Sequence, residues 1–236
     1  AFIMKKINAR KKILSIHGVY SQQIGMLHSK ITAKLVSTNE EKVLAWADVL
    51  TTDSLTVQSE YKKIGKSFLY IPAPLDSKKF EKVSNNMEKK NQIVYVGRDS
   101  YEKGIDILRK IEPKLPIPIK YCTDMEWLDA MNTLKESQIL VVPSRIESIP
   151  QVIKEAFYLK TPVIATDVGG NHELIKNKET GILIDPEKPD QMLNAINDLI
   201  SDNQTKNKLT ENAFQFINKN FSWDILMEKY IHLYES

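Results

Sequence analysis

Eight short apolar runs, rich in Ile, Val and Leu, recur between longer stretches of helical period, and this alternation constrains the fold more than any other feature of the chain. The runs are Ile13–His17, Asp48–Thr52, Ser67–Ile71, Gln92–Gly97, Pro118–Cys122, Gln138–Pro143, Pro162–Thr166 and Gly181–Ile184. Helical stretches fall at Thr38–Ala47, Ser54–Ile64, Gly104–Ile111, Glu126–Glu136, Pro150–Leu159 and Asn171–Asn177. Several runs are apolar throughout, as strands covered by helices on both faces must be. The pattern is that of βα units in an α/β protein with Rossmann-like parallel sheets, and it excludes an all-α or antiparallel fold. Ahead of the first run, Phe2–Lys12 reads as the end of a helix feeding it. Beyond Pro189 the chain reads as helix only, through Pro189–Ile200, Gln204–Asn220 and Trp223–Tyr234. The last of these carries Trp223, Ile225, Leu226, Tyr230 and Leu233 on a broad apolar face and is expected to dock.

Ser77–Asn91 interrupts the alternation with Lys, Glu and Asn and reads either as a linker or as a long surface helix and loop. Taken as a linker, it separates an N-terminal piece, 1–76, from a complete domain, 92–221, with a final helix over 222–236. At roughly 150 residues per domain, two full α/β domains need about 300. The 236 residues present therefore suggest one whole domain and part of another, with Ala1 not a native start and Met4 the alternative start of a naturally short chain. The 33 basic and 30 acidic residues leave a formal charge of +3, too small a surplus to indicate a nucleic-acid binder. Cys122 is the single cysteine, which fits a reducing, cytoplasmic compartment. No apolar run reaches the ~20 residues of a membrane span. Lys5, Lys6, Arg10, Lys11 and Lys12 form a basic cluster that reads either as a solvated helix end or as a peripheral contact with anionic lipid.

Chemistry concentrates in three segments. Val94–Ile105 is a strand, a glycine and a turn opening a helix, so Gly97, Arg98 and Lys103 lie beyond a strand's carboxyl end, where open parallel sheets bind ligands. Arg98 offers a bidentate fork and Lys103 a point charge to a phosphate, or both are solvated turn charges. Pro143–Ala156 follows another strand, with Ser148 expected as the cap of a helix, Pro150 in its first turn and Gln151 completing a capping box. Glu147 and Glu155 suit hydroxyl recognition, because each carboxylate accepts two hydrogen bonds; the plainer alternative is a helix-dipole partner and a surface residue. In Pro162–Glu173, Gly169 and Gly170 occupy a strand-to-helix turn where backbone amides can approach a ligand. Half of the eight glycines, and Arg98 and Arg145 of the four arginines, fall in these segments.

In order, these segments resemble the donor-binding domain of the group 1 retaining glycosyltransferases of GT-B fold over about Gln92–Ile200. The shared motifs are Gly-Arg followed by Lys-Gly, the Pro-Ser strand end, Glu147 and Glu155 in an E-x7-E pattern, Lys-Thr-Pro-Val, Asp-x-Gly-Gly-x-x-Glu and Glu-Thr-Gly-Ile-Leu-Ile. The resemblance implies that Arg98 and Lys103 bind the donor diphosphate and Glu155 the nucleotide ribose. It assigns Glu147 to the transferred sugar, helped by the backbone of Ser148, Ile149 and Pro150. Upstream, Lys12-Ile-Leu-Ser-Ile-His-Gly is similar to the N-domain strand whose terminal histidine faces the donor sugar. That makes His17 a candidate substrate contact, where a half-buried packing histidine is the alternative. Ile71–Phe80 is similar to the interdomain hinge, with Ala73 and Pro74 in place of Asn-Gly, and Phe221-Ser-Trp-Asp to the helix that returns to the N-domain. Between Ile111 and Val141 one strand-helix pair stands where the family commonly has another, which leaves base recognition placed only near Tyr121–Met125.

Cleaving a sugar–diphosphate bond leaves negative charge on the departing phosphate, neutralised either by a carboxylate-held metal or by fixed cations. No Asp-x-Asp occurs in the sequence, so the expectation is a metal-independent, cofactor-independent transferase. A UDP- or GDP-linked sugar is its expected donor and a glycan or lipid-linked hydroxyl its acceptor, in a setting such as polysaccharide biosynthesis. Retention follows if the departing phosphate oxygen takes the proton of the incoming hydroxyl on one face. A double displacement through Glu147 is the alternative. A nucleotide-sugar epimerase or phosphorylase on the same fold, and an inactive nucleotide-sugar binding module, are the competing functions.

Overall fold

A computed structural model describes residues 10–19, 30–84 and 88–235. Its contacts divide the chain into two compact units, Ala1–Pro72 and Ala73–Ser236.

The first unit holds β1 (Ile13–Ile16), α1 (Lys30–Leu44), β2 (Val49–Thr52), α2 (Leu55–Lys63) and β3 (Leu69–Tyr70). Its three strands are parallel in the order β1-β2-β3, with Ile13 opposite Val49 and Thr51 opposite Leu69. α2 starts where Ser54 accepts a bond from the Val57 amide, satisfying one orphan donor of the first turn. Tyr61 stacks on Phe68 at 4.6 Å, and both are buried with Leu44 and Val57 as the unit's core.

The second unit contains β4 (Ile93–Val96), α3 (Ile105–Ile111), β5 (Ile119–Cys122), α4 (Trp127–Glu136), β6 (Ile139–Val142), α5 (Gln151–Tyr158), β7 (Val163–Thr166), α6 (Asn171–Leu174), β8 (Ile182–Ile184), α7 (Pro189–Ser201), α8 (Asn203–Phe221) and α9 (Trp223–Glu235). Its strands form one parallel sheet, ordered β5-β4-β6-β7-β8. Alternate residues of each strand serve opposite faces. Val94, Leu140, Val142 and Val163 pack with Met131, Phe157 and Ile217, while Ile93, Tyr95, Ile139 and Val141 pack with Leu108, Met192 and Ile196. Burial on both faces is why these runs are apolar throughout.

Two expectations change. The charge-dense segment is packed through its first half: Ser77–Lys82 is a 3-10 turn, and Phe80 and Val83 enter the core of the second unit. Those two apolar residues, three apart among the lysines, are enough to seat it. α9 buries Leu226 and Leu233, whereas Trp223 and Ile225 remain about half exposed, so its buried face is narrower than the sequence suggests. Of the helix end expected over Phe2–Lys12, residues 2–9 lie outside the described residues.

Candidate functional site

The chain leaves β4 outward to β5 and returns to the opposite side of β4 at β6. The crevice beyond the carboxyl ends of β4 and β6 is therefore the switch point of the sheet, where open α/β folds take ligands. The β4–α3 loop closes with the 3-10 turn Tyr101–Lys103 and Gly104, whose φ is +67°. A Cβ at Gly104 would lie 2.1 Å from the Pro143 carbonyl oxygen, so this loop lies directly on the end of β6. The Tyr95 hydroxyl donates to the Arg98 carbonyl at 2.6 Å and fixes the loop's start.

Across the crevice, Lys103 Nζ donates to Glu147 Oε1 at 2.7 Å. The Ser144 hydroxyl donates to the same oxygen at 2.7 Å, and Thr166 Oγ1 donates to the Ser144 carbonyl at 2.5 Å. The Glu147 side chain is only 8% exposed and that of Lys103 24%, so the pair is largely withdrawn from water but open on the lysine side. Arg98 does not join it: its side chain is 74% exposed and paired with Glu102 at 3.0 Å.

Gly169 and Gly170 sit hard against the acidic loop. A Cβ on Gly169 would lie 1.8 Å from the Glu147 carbonyl oxygen, and one on Gly170 2.0 Å from that of Ser148. The missing side chains let the β7–α6 turn press against the Glu147–Ser148 backbone and brace the acidic loop. The cap of α5 differs from the expected one. The helix starts at Gln151 after Pro150 with no side-chain cap, and Ser148 Oγ is buried without a partner among the described residues. Pro150 has no N–H, leaving Ser148 and Ile149 as the amides that this loop can offer a ligand.

Glu155 lies within α5, where Trp127 Nε1 donates to its Oε1 at 2.8 Å. Burial pushes the Glu155 carboxyl above the usual range, the indole bond opposing it. Trp127 is edge-on to Phe80 at 5.3 Å. With Asp76, Lys78, Lys79, Lys82 and Leu128 it lines a cavity of about 560 Å³.

In the first unit, His17 follows β1 and Asp53 follows β2. His17 Nδ1 lies 3.0 Å from Asp53 Oδ2, and Nε2 3.2 Å from Ser15 Oγ. Asp53 is 6% exposed and its Oδ1 has no partner among the described residues. Ser15 and His17 also line a cavity of about 550 Å³ with Val36, Glu40 and Leu44. Of the basic cluster, Lys5 and Lys6 lie outside the described residues, and Lys12 pairs with Asp48 at 3.5 Å. Among the described residues no group of three or more His, Cys, Asp or Glu is arranged to hold a metal, and no helix is long and apolar enough to cross a membrane.

Sequence reasoning missed Ser144, Asp53 and Trp127. The first two follow strand ends as the recognised residues do, and Ser144 also stands in the Pro-Ser strand end, to which no role was assigned. Trp127 gave none, because its partner is 28 residues away.

Parallel α/β units, one with charged loops facing each other at its switch point, define a fold of the Rossmann class. Within that class, residues 119–216 match the family model for glycosyl transferases group 1. An uncharacterised glycosyltransferase of Methanocaldococcus jannaschii is 27% identical over 172 residues, covering 61% of this chain and 44% of that one. A D-inositol 3-phosphate glycosyltransferase of Paenarthrobacter aurescens is 35% identical over 100 residues, 41% of this chain and 24% of that one. The chain thus spans less than half the length of these relatives. Among solved structures, sucrose-phosphate synthase of Thermosynechococcus elongatus has a TM-score of 0.81 at 18% identity, over 99% of this chain and 69% of that one. Anabaena HepE in complex with UDP-glucose has a TM-score of 0.75 at 18% identity, over 94% and 71%. The fold is of the GT-B type.

Proposed function

We propose that the chain is the donor-binding part, with a portion of the acceptor side, of a retaining glycosyltransferase. It takes a nucleotide-diphosphate-sugar, UDP- or GDP-linked, and passes the sugar to a hydroxyl of a glycan or lipid-linked acceptor. The observation that carries this reading is the Lys103–Glu147 pair at 2.7 Å across the β4/β6 switch point. It sets a cation for phosphate beside a carboxylate for sugar hydroxyls. That a structural neighbour was solved with UDP-glucose supports a nucleotide-sugar as the ligand.

In this reading the diphosphate competes with Glu147 for Lys103 and is also met by Arg98 and the amides of Ser148 and Ile149. Glu147, released in part from Lys103, accepts hydroxyls of the transferred sugar, and Oε2 of Glu155 accepts the ribose. The anomeric C–O bond to phosphate breaks, the acceptor oxygen bonds to the same face of the anomeric carbon, and its proton goes to the departing phosphate oxygen. Lys103 stabilises the negative charge that this oxygen gains. No metal is required, so a chelator is expected to leave transfer unchanged; abolition by chelation would contradict it.

A thermal-shift panel of nucleotide-sugars on this chain and on Glu155→Ala tests the site. One donor is expected to raise the melting temperature of the parent by several degrees and to lose most of that shift in the variant. No stabilisation by any donor, or a shift that survives Glu155→Ala, would sink the assignment.

A further inference from the structure

Arg145 lies two residues before Glu147, yet its side chain is only 8% exposed. Nη1 donates to Asp106 Oδ1 and to the Tyr101 carbonyl, both at 2.7 Å, and Nη2 to Asp106 Oδ2 at 2.8 Å. Nε donates to Glu187 Oε1, with Nη2 3.4 Å from the second oxygen of that carboxylate. All five N–H donors of the guanidinium are thereby occupied. The guanidinium also stacks on the Tyr101 ring at 3.9 Å, and the Arg145 amide donates to the Glu102 carbonyl at 2.8 Å. Its partners come from the β4–α3 loop, the first turn of α3, and the loop after β8. With no donor left for a phosphate, Arg145 holds loops rather than a ligand, which changes what its place in this segment suggested. The consequence falls on its neighbours: Lys103 is two residues past Tyr101, Glu147 two past Arg145, and those two meet at 2.7 Å.

We infer that Arg145 is a positioning residue, a clamp on Tyr101, Asp106 and Glu187 that sets the separation of the two charged loops and so places Lys103 on Glu147. This rests on the Lys103–Glu147 edge being the donor site, but the clamp is measurable without a donor. A lysine at 145 keeps the charge and loses both the fork and the stack, so charge alone does not substitute.

The test is the rate of acetylation of individual lysines by acetic anhydride, read by mass spectrometry, in the parent, Arg145→Gln, Arg145→Lys and Asp106→Asn. Lys103 is expected to react about five-fold faster in all three variants, the scale of one lost ordered contact. Lys154, fully buried with Nζ 2.9 Å from the Ala73 carbonyl, stays protected, and exposed Lys208 reacts as in the parent. Unchanged Lys103 reactivity in folded variants would overturn the clamp, as would Lys154 becoming reactive alongside it, which reports general loosening. If Arg145→Gln does not fold, Asp106→Asn, which opens the fork from its other end, decides. Titration of the parent with UDP- and GDP-sugars separates the two ideas. Absence of binding with a fast Lys103 in the variants removes the donor reading and keeps the clamp.

Discussion

Lys103 Nζ and Glu147 Oε1 meet at 2.7 Å from loops 44 residues apart, and the Ser144 hydroxyl completes the shell of that oxygen. A carboxylate only 8% exposed depends on those partners. Lys103→Met leaves it with one, at an expected cost of about 1–3 kcal/mol, below that of a fully buried pair because the lysine is partly solvated. Lys103→Met/Glu147→Gln removes the stranded charge and should recover at least half of the loss in urea unfolding. A double variant no more stable than Lys103→Met would show that the pair is not energetically coupled.

The glycine pair predicts a sharper loss. Gly169→Ala and Gly170→Ala each drive a methyl group within about 2 Å of a backbone oxygen, and backbone cannot swing aside as a side chain can. Gly169 adds strain at φ +51°; Gly170 carries the clash alone. Each substitution is expected to cost about 2–4 kcal/mol. Gly65, with φ +74° but nothing within 4 Å of its Cβ position, separates the two effects: Gly65→Ala should cost about 1 kcal/mol. Equal losses at Gly65 and Gly170 by chemical denaturation would contradict the packing role.

Among the described residues all eight strands lie inside the predicted runs; in the second unit, residues such as Ile93 and Val94 are buried on opposite faces, and a doubly covered strand announces itself as a continuous apolar run. Lys103 and Glu147 were legible by the same logic, each lying just beyond such a run. The clamp of Arg145 on Asp106 and Glu187 was not, nor was Trp127 on Glu155. Those partners stand 28 to 42 residues apart, and no local period encodes which loop folds onto which. The seating of Ser77–Lys82 escaped notice because two buried residues, Phe80 and Val83, outweigh the charges around them.

Cys122 offers a clean probe of opening at β5, an edge strand of the sheet. The side chain is 3% exposed, and burial pushes its thiol above the ordinary value. Reaction with a chromogenic disulfide at neutral pH is expected to run at least about 100-fold slower than with a free thiol and to accelerate with sub-denaturing urea. Labelling at the free-thiol rate in the absence of urea would mean that β5 is not held as described.

Burial holds the Glu155 carboxyl above its ordinary value, so the folded chain binds that proton more tightly than the unfolded one. Its contribution to stability is therefore complete below the ordinary carboxylate range and is lost as pH rises through the raised value. Glu155→Gln never ionises and should gain on the parent as pH is taken from 4 to 7. Trp127→Phe keeps an aromatic ring beside Phe80 but removes the indole N–H that stabilises the ionised form. Its deficit relative to the parent should be small at pH 4 and grow to about 1–3 kcal/mol at pH 7, the scale of a hydrogen bond to a charged group. Urea unfolding of the three proteins across that range measures all of this. A Trp127→Phe deficit that does not vary with pH would mean the indole does not bond to the ionised carboxylate, leaving Glu155 unprepared to accept a ligand hydroxyl.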